Sequence, residues 1–212
     1  MVKQWNSSFN YETDACQEKD RQIAHKAILE IFGNIHPLSL GLKESIRENS
    51  KLIYCKKKHI LTNFNEIHKN IYFIVRGGIR TYFIDKEGSD ITSWLLFEND
   101  LAVSVLSFFS QKIGLEAMET IEDSILLSLS HTTLTKMYTE FIEFNFIGRI
   151  LTEQYYIRSE EKTNAFRILN ASERYLDLLK KRPDIINRVP LGYIASYLGI
   201  TNSTLSRIRR RR

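Results

Sequence analysis

The chain has 212 residues, 43% hydrophobic and 26% charged, which is enough for one large core or two modest ones and is the balance of a folded protein rather than a disordered one. No run of about 18 apolar residues occurs, and residues 1–10 lack the basic start and apolar core of a secretory signal, so no membrane span and a cytoplasmic location are expected. The net charge of +5 is uneven: residues 171–212 carry ten Lys/Arg against three Asp/Glu, a balance of +7 that leaves −2 for residues 1–170. Neutralising phosphates releases condensed counterions, so such a basic end favours an anionic partner, nucleic acid being the commonest; a solvated basic tail is the alternative.

Cys16 and Cys55 lie far apart with no Cys-x-x-Cys pair, which supports neither a disulfide framework nor a zinc or iron–sulfur cage. The five histidines (His25, His36, His59, His68, His131) form no i, i+4 pair, so no metal is expected. No nucleophile–base pair or glycine-rich phosphate loop stands out, and Gly77-Gly78 lacks the lysine and Ser/Thr of a P-loop. An enzyme and a cofactor are therefore not expected.

In chain order, residues 14–26 are polar with apolar positions at helical spacing. They lead into Ala27, Ile28, Ile31 and Phe32, and a helical entry ends near Gly33. From about Lys51 to Ser130 short β-rich runs follow: 52–54, 71–75, 79–84, 91–97, 116–120 and 124–130. Turn signals separate them at Asn63-Phe64-Asn65, Gly77-Gly78, Asp85-Lys86-Glu87-Gly88 and Glu98-Asn99-Asp100. Short strands at this spacing argue for a sandwich or jelly roll. After His131 the period returns to 3.6, with Leu134, Met137, Tyr138, Phe141, Ile142, Phe146, Ile150 and Tyr156 or Ile157 on one side of a long helix. A stripe of that length suits a partner helix from a second copy; packing on its own barrel alone is the other reading. Helical patterning over 171–181 breaks at Arg182-Pro183-Asp184, and a new unit begins near Pro190.

Residues 191–210, LGYIASYLGITNSTLSRIRR, carry the spacing of a helix-turn-helix. Ile194, Leu198, Ile200, Leu205 and Ile208 fall at inward places, Ala195 is the small residue at the helix contact, and Gly199 sits where the turn needs a left-handed backbone. Thr201 is placed as N-cap of a second helix starting at Asn202, whose outward face presents Asn202, Ser203 and, one turn on, Arg207, able to bond base edges. Arg209 to Arg212 add charge for phosphates. A generic helical hairpin with a basic end is the bland alternative.

The run RVPLGYIASYLGITNSTLSRIR (188–209) resembles the C-terminal domain of Crp/Fnr regulators, a family from which the catabolite activator protein is a standard helix-turn-helix example. The run Tyr72-Phe73-Ile74-Val75-Arg76-Gly77-Gly78-Ile79-Arg80 is similar to the family's strand–turn–strand signature, and the acidic turn and long helix follow in the family's order. The resemblance covers the chain from about Asp20. It implies an α+β protein: a cyclic-nucleotide-binding-like β jelly-roll sensor domain over 1–133, a dimerisation helix over 134–162 and a winged-type helix-turn-helix domain over 163–212. It implies a homodimer on promoter DNA, with RNA polymerase as a further partner and a small-molecule effector or none. Thr201, Asn202, Ser203, Thr204, Arg207, Arg209 and Arg210 are then the candidate DNA contacts.

The departures bear on the effector. The stretch from Phe97-Glu98-Asn99-Asp100-Leu101-Ala102 to Glu116 has neither the Gly-Glu that caps a ribose nor the arginine that pairs with a cyclic phosphate, and Lys112 is the only Lys or Arg between Glu87 and Thr135. Cyclic AMP is therefore expected to bind no better than millimolar, and the absence of a cysteine cluster argues against an iron–sulfur sensor. Phe97, Glu98, Leu106 and Lys112 mark a candidate effector pocket, which Phe108 and Phe109 are expected to fill. Asn202 and Ser203 replace an Arg and a Glu of the best-known member, so its operator is not expected here. The alternative function is a ligand-binding or protein-interaction module whose DNA domain lacks specific binding.

Overall fold

The computed structural model describes residues 14–210; residues 1–10, read above for a signal, and Arg211 and Arg212 lie outside them. Two helices, α1 (Asp14–Ile35) and α2 (Leu40–Asn49), precede strands β1 (Lys51–Cys55), β2 (Ile60–Thr62), β3 (Asn70–Arg76), β4 (Ile79–Ile84), β5 (Asp90–Leu96) and β6 (Leu101–Ala102). A short helix, α3 (Val105–Ser110), leads to β7 (Ala117–Thr120) and β8 (Ser124–Ser130), after which the described chain is helical: α4 (His131–Glu140), α5 (Ile142–Ile168), α6 (Ala171–Lys181), α7 (Ile185–Arg188), α8 (Leu191–Tyr197) and α9 (Asn202–Arg210).

The strands form two four-stranded antiparallel sheets, ordered β1-β8-β3-β6 and β2-β7-β4-β5. Because strand side chains alternate between faces, Tyr72 and Ile74 of β3 point one way and Ile71 and Phe73 the other. Tyr72 and Ile74 join Ile79, Leu96, Met118 and Leu126 in a core between the sheets. Phe73 and Leu127 join a second core on the outer face, with Ile28 and Phe32 of α1, Leu42 and Ile46 of α2, and Phe144 and Ile147 of α5. The β3–β4 turn is closed by Gly77 at φ 100°, where a Cβ would fall 2.2 Å from the Ser124 hydroxyl oxygen and only glycine fits. This is an α+β protein with a β jelly roll.

The six β-rich runs read from the sequence correspond to β1, β3, β4, β5, β7 and β8, while β2, β6, α2, α3 and α7 carried no signal that was read. Among the described residues the C-terminal region is entirely helical, with no strand to form a wing.

The helix expected from Leu134 onward is two helices. Phe141 has extended backbone (φ −125°, ψ 104°), and the Asn145 side-chain amide donates to the Tyr138 carbonyl at 2.8 Å, satisfying an acceptor that the end of α4 leaves free. The break divides the apolar stripe. Leu134 and Met137 are buried against the barrel together with Phe144 and Ile147, whereas Ile142, Phe146, Tyr156 and Ile157 face outward, from 47% to 76% exposed.

Candidate nucleic-acid interface

The C-terminal unit forms because each helix end is locally determined. Helix α6 opens with a reciprocal box in which the Asn170 side chain accepts from the Ser172 and Glu173 N–H groups and the Glu173 carboxylate accepts from the Asn170 N–H. Helix α8 follows Pro190 at its N-cap position and closes at its C-cap Leu198, after which Gly199, at a φ of 64°, turns the chain so that the Ile200 N–H reaches the Ala195 carbonyl at 3.0 Å. A Cβ on Gly199 would also come within 2.9 Å of the Phe166 ring of α5. The Thr201 hydroxyl accepts from the Thr204 N–H at 3.2 Å and caps α9 as expected. Ile194, Ala195, Leu198 and Leu205 are buried with Tyr175, Leu178, Ile185 and Val189, while Ile200 and Ile208 pack half-buried around them. The Arg174 guanidinium donates to the Leu198 carbonyl at 3.0 and 3.2 Å and to the Leu169 carbonyl at 2.7 Å, tying α6 to the end of α8.

Burying Leu205 sends the opposite face of α9 to solvent. Asn202, Ser203, Arg207, Arg209 and Arg210 are all exposed; Thr204 is half-buried and its hydroxyl is tied to Thr201 at 3.0 Å. Arg207, Arg209 and Arg210 make no ion pair or hydrogen bond among the described residues, and residues 185–210 contain no Asp or Glu. The face is thus a helix N-terminus with free N–H groups and small polar side chains, followed one turn later by unneutralised guanidinium groups.

Two other arginines hold this unit on the barrel. Arg188 of α7 donates to the Glu98 carboxylate at 2.8 and 2.9 Å, to Glu122, to Asp184 at 3.3 Å and to the Gly77 carbonyl at 3.2 Å. Burial opposes the charge on Glu98, but Arg188 and the Gly77 N–H, 2.9 Å away, outweigh it and hold the carboxyl below its ordinary value. Arg80 of β4, 2% exposed, pairs with Asp90 at 2.6 Å and Glu119 at 2.9 Å and lies 3.6 Å beneath the ring of Tyr193 on α8. Beside it the Ser196 hydroxyl donates to the Asp90 carbonyl and accepts from the Thr92 N–H, both at 2.8 Å. Lys162 of α5 bonds the Ser93 carbonyl between the rings of Trp94 and Tyr197, and burial pushes its ammonium down to about 8. Spacing rules did not find these contacts, which join residues up to 111 positions apart.

No protein-family model and no curated protein matches the chain. Solved structures do match. FixK2 from Bradyrhizobium japonicum aligns over 76% of this chain and 83% of its own at 18% identity with a TM-score of 0.67. A chain described as a transcriptional regulator of the Crp/Fnr family from Eubacterium rectale aligns over 84% and 87% at 19% identity with a TM-score of 0.66. The catabolite activator protein of Thermus thermophilus aligns over 85% of each chain at 14% identity with a TM-score of 0.53. The fold is the Crp/Fnr fold.

In this Crp/Fnr fold the expected effector residues are scattered. Phe97 is buried beneath Arg182 and Arg188, whose guanidinium carbons lie 4.7 and 4.6 Å from its ring centre. Glu98 is taken by Arg188 and Gly77. Leu106 on α3 is 74% exposed, and Lys112 is exposed, its carbonyl accepting the Ser107 hydroxyl at 2.5 Å. Phe108 is fully buried in the core beneath the helices, while half-exposed Phe109 borders a cavity there. Among the described residues no group of His, Cys, Asp and Glu is arranged to hold a metal ion, and no helix is long and apolar enough to cross a membrane.

Proposed function

We propose that the chain is a transcription regulator that binds promoter DNA as a homodimer, with α9 as the recognition helix. The observation that carries this reading is the unneutralised face of α9. Asn202 and Ser203 stand at its N-terminus, where base edges are met in this docking geometry, and Arg207 stands one turn on. Asn202 is assigned to adenine, Arg207 to guanine O6 and N7, and Arg209 and Arg210 to phosphates; Thr201 and Thr204 set the start of the helix and its approach to the backbone. A non-enzymatic role and a cytoplasmic location go with this reading, and RNA polymerase is the partner that a promoter-bound regulator would touch.

The outward face of α5 supports the dimer, since Ile142, Phe146, Tyr156 and Ile157 leave large apolar groups in water. The effector is proposed not to be cyclic AMP, because the segment that would hold its phosphate offers only solvent-exposed Lys112. Selection of bound fragments from a random duplex library, followed by footprinting at two salt concentrations, tests the function. A preferred two-fold sequence with half-sites one helical turn apart, bound more weakly as salt rises, is the expected result. Weak binding of all sequences alike would leave only an interaction module. Sedimentation at micromolar concentration tests the dimer, and a charge at Ile150 or Phe146 is expected to weaken it.

A further inference from the structure

Between the outer face of the β1-β8-β3-β6 sheet and helices α1, α4 and α5 lies a cavity of about 220 Å³. Most of its lining is apolar, with Ile71, Phe73 and Leu129 from the sheet, Phe32 from α1, and Phe144 and Leu151 from α5, while Ser50, Asn99, Asp100, Thr152, Gln154 and Arg158 also border it. A void of about 150 Å³ lined by apolar side chains takes up benzene, so this larger cavity, partly open to solvent, has room for an apolar body on the order of ten heavy atoms. The Tyr138 side chain also lines it. Its phenol makes no hydrogen bond among the described residues and lies against Gly148 of α5, where an added Cβ would fall 2.2 Å from the hydroxyl oxygen. Burial alone pushes that phenol above its ordinary value, in keeping with a hydroxyl that has no acceptor. Among the described residues Arg158 is the one cation on the lining, and it is already held by Asp100 at 2.9 Å. An anionic head group would find no free counter-charge there.

We propose that this cavity binds a neutral, mostly apolar molecule with a single carbonyl acceptor, such as a medium-chain ketone or ester, which takes the Tyr138 O–H. The site bridges α4 and α5 across the break at Phe141. Filling it fixes the course of α5, which carries Lys162 to the barrel contact of the helix-turn-helix unit. Its role as an effector site rests on the regulator reading above; binding itself does not.

The test is calorimetry on the full chain with 2-nonanone and with nonanoate, in the absence of DNA. 2-Nonanone is expected to bind saturably, one per chain, and nonanoate at least about tenfold more weakly. Tyr138→Phe, which removes one oxygen and keeps the ring, should weaken 2-nonanone about fivefold to tenfold while the thermal midpoint holds or rises. Leu151→Phe, which occupies the space, should abolish binding. No saturable binding of 2-nonanone, equal binding of nonanoate, or indifference to Tyr138→Phe each overturns the site. Binding that leaves the affinity for selected DNA unchanged overturns the effector role while the site stands, and absence of any preferred DNA leaves the calorimetric result intact.

Discussion

Two sets of arginines divide the work of this molecule. Arg80 and Arg188 are enclosed by Asp90, Glu119, Glu98 and Glu122, so their charge is spent inside the fold and fixes the C-terminal unit on the barrel. Arg207, Arg209 and Arg210 stand in solvent with no acidic partner among the described residues, so the fold leaves their charge unneutralised, as the proposed binding of DNA requires. The residue type is the same, and the neighbours decide whether a guanidinium is a fastener or a probe. Net charge alone does not separate the two roles. Four of the ten basic residues beyond position 170, namely Arg174, Lys181, Arg182 and Arg188, are engaged within the protein.

The comparison predicts that removing a fastener costs stability and removing a probe does not. The largest effect should come from Arg80→Met, which strands nearly buried Glu119; losing one partner of a buried pair costs about 3–5 kcal/mol. Urea unfolding should show this as a large fall in midpoint, and adding Glu119→Leu should restore most of it. A small effect of the single change would mean that Glu119 is better solvated than its position implies. Arg188→Ala comes next, at about 1–2 kcal/mol once discounted for the partial exposure of its acidic partners. Its clearest sign should be faster proteolysis between the barrel and α8. Because the Glu98 carboxyl is held below its ordinary value when folded, its contribution is present above the usual carboxylate range and is lost as pH falls through the lowered value.

A smaller effect concerns Lys162. Its folded ammonium titrates at about 8, whereas unfolded lysine titrates near 10.4, so between those values the unfolded chain binds more protons and stability rises with pH. Relative to Lys162→Met, the wild type should gain on the order of 1 kcal/mol from pH 8 to pH 10. A flat difference would place Lys162 in water.

Much of the helix-turn-helix unit was legible in the sequence, because it is specified locally. Gly199 demands a left-handed turn, Thr201 caps the helix that follows it, and the spacing of Ile194, Leu198 and Leu205 sets the buried side. Strands β3, β4, β5 and β8 were legible for the same reason, as apolar runs between turns. The break at Phe141 was not, because apolar periodicity runs straight through it with no proline or glycine. Its local sign is Asn145, whose amide satisfies a carbonyl of the preceding helix. Nor were the partners of Arg80 and Arg188 legible. Arg188 meets Glu98 across 90 positions, and no spacing rule reaches that far, so the sequence alone leaves Glu98 without this partner and open to an effector role. Leu106, expected in the same pocket, is instead turned to solvent on α3, a helix too short to show a period.

The division of labour is tested most directly by titrating Arg207→Ala, and a chain ending before Arg209, against the preferred duplex and an unrelated one at two salt concentrations. Arg207→Ala should keep wild-type stability to within about 0.5 kcal/mol and lose about 1–3 kcal/mol of discrimination between the duplexes, with weak salt-sensitive binding retained. The shortened chain should bind both duplexes more weakly by a similar factor and show a shallower salt dependence. Undiminished discrimination in Arg207→Ala, with discrimination lost in the shortened chain, would contradict the assignment of Arg207 as the reader.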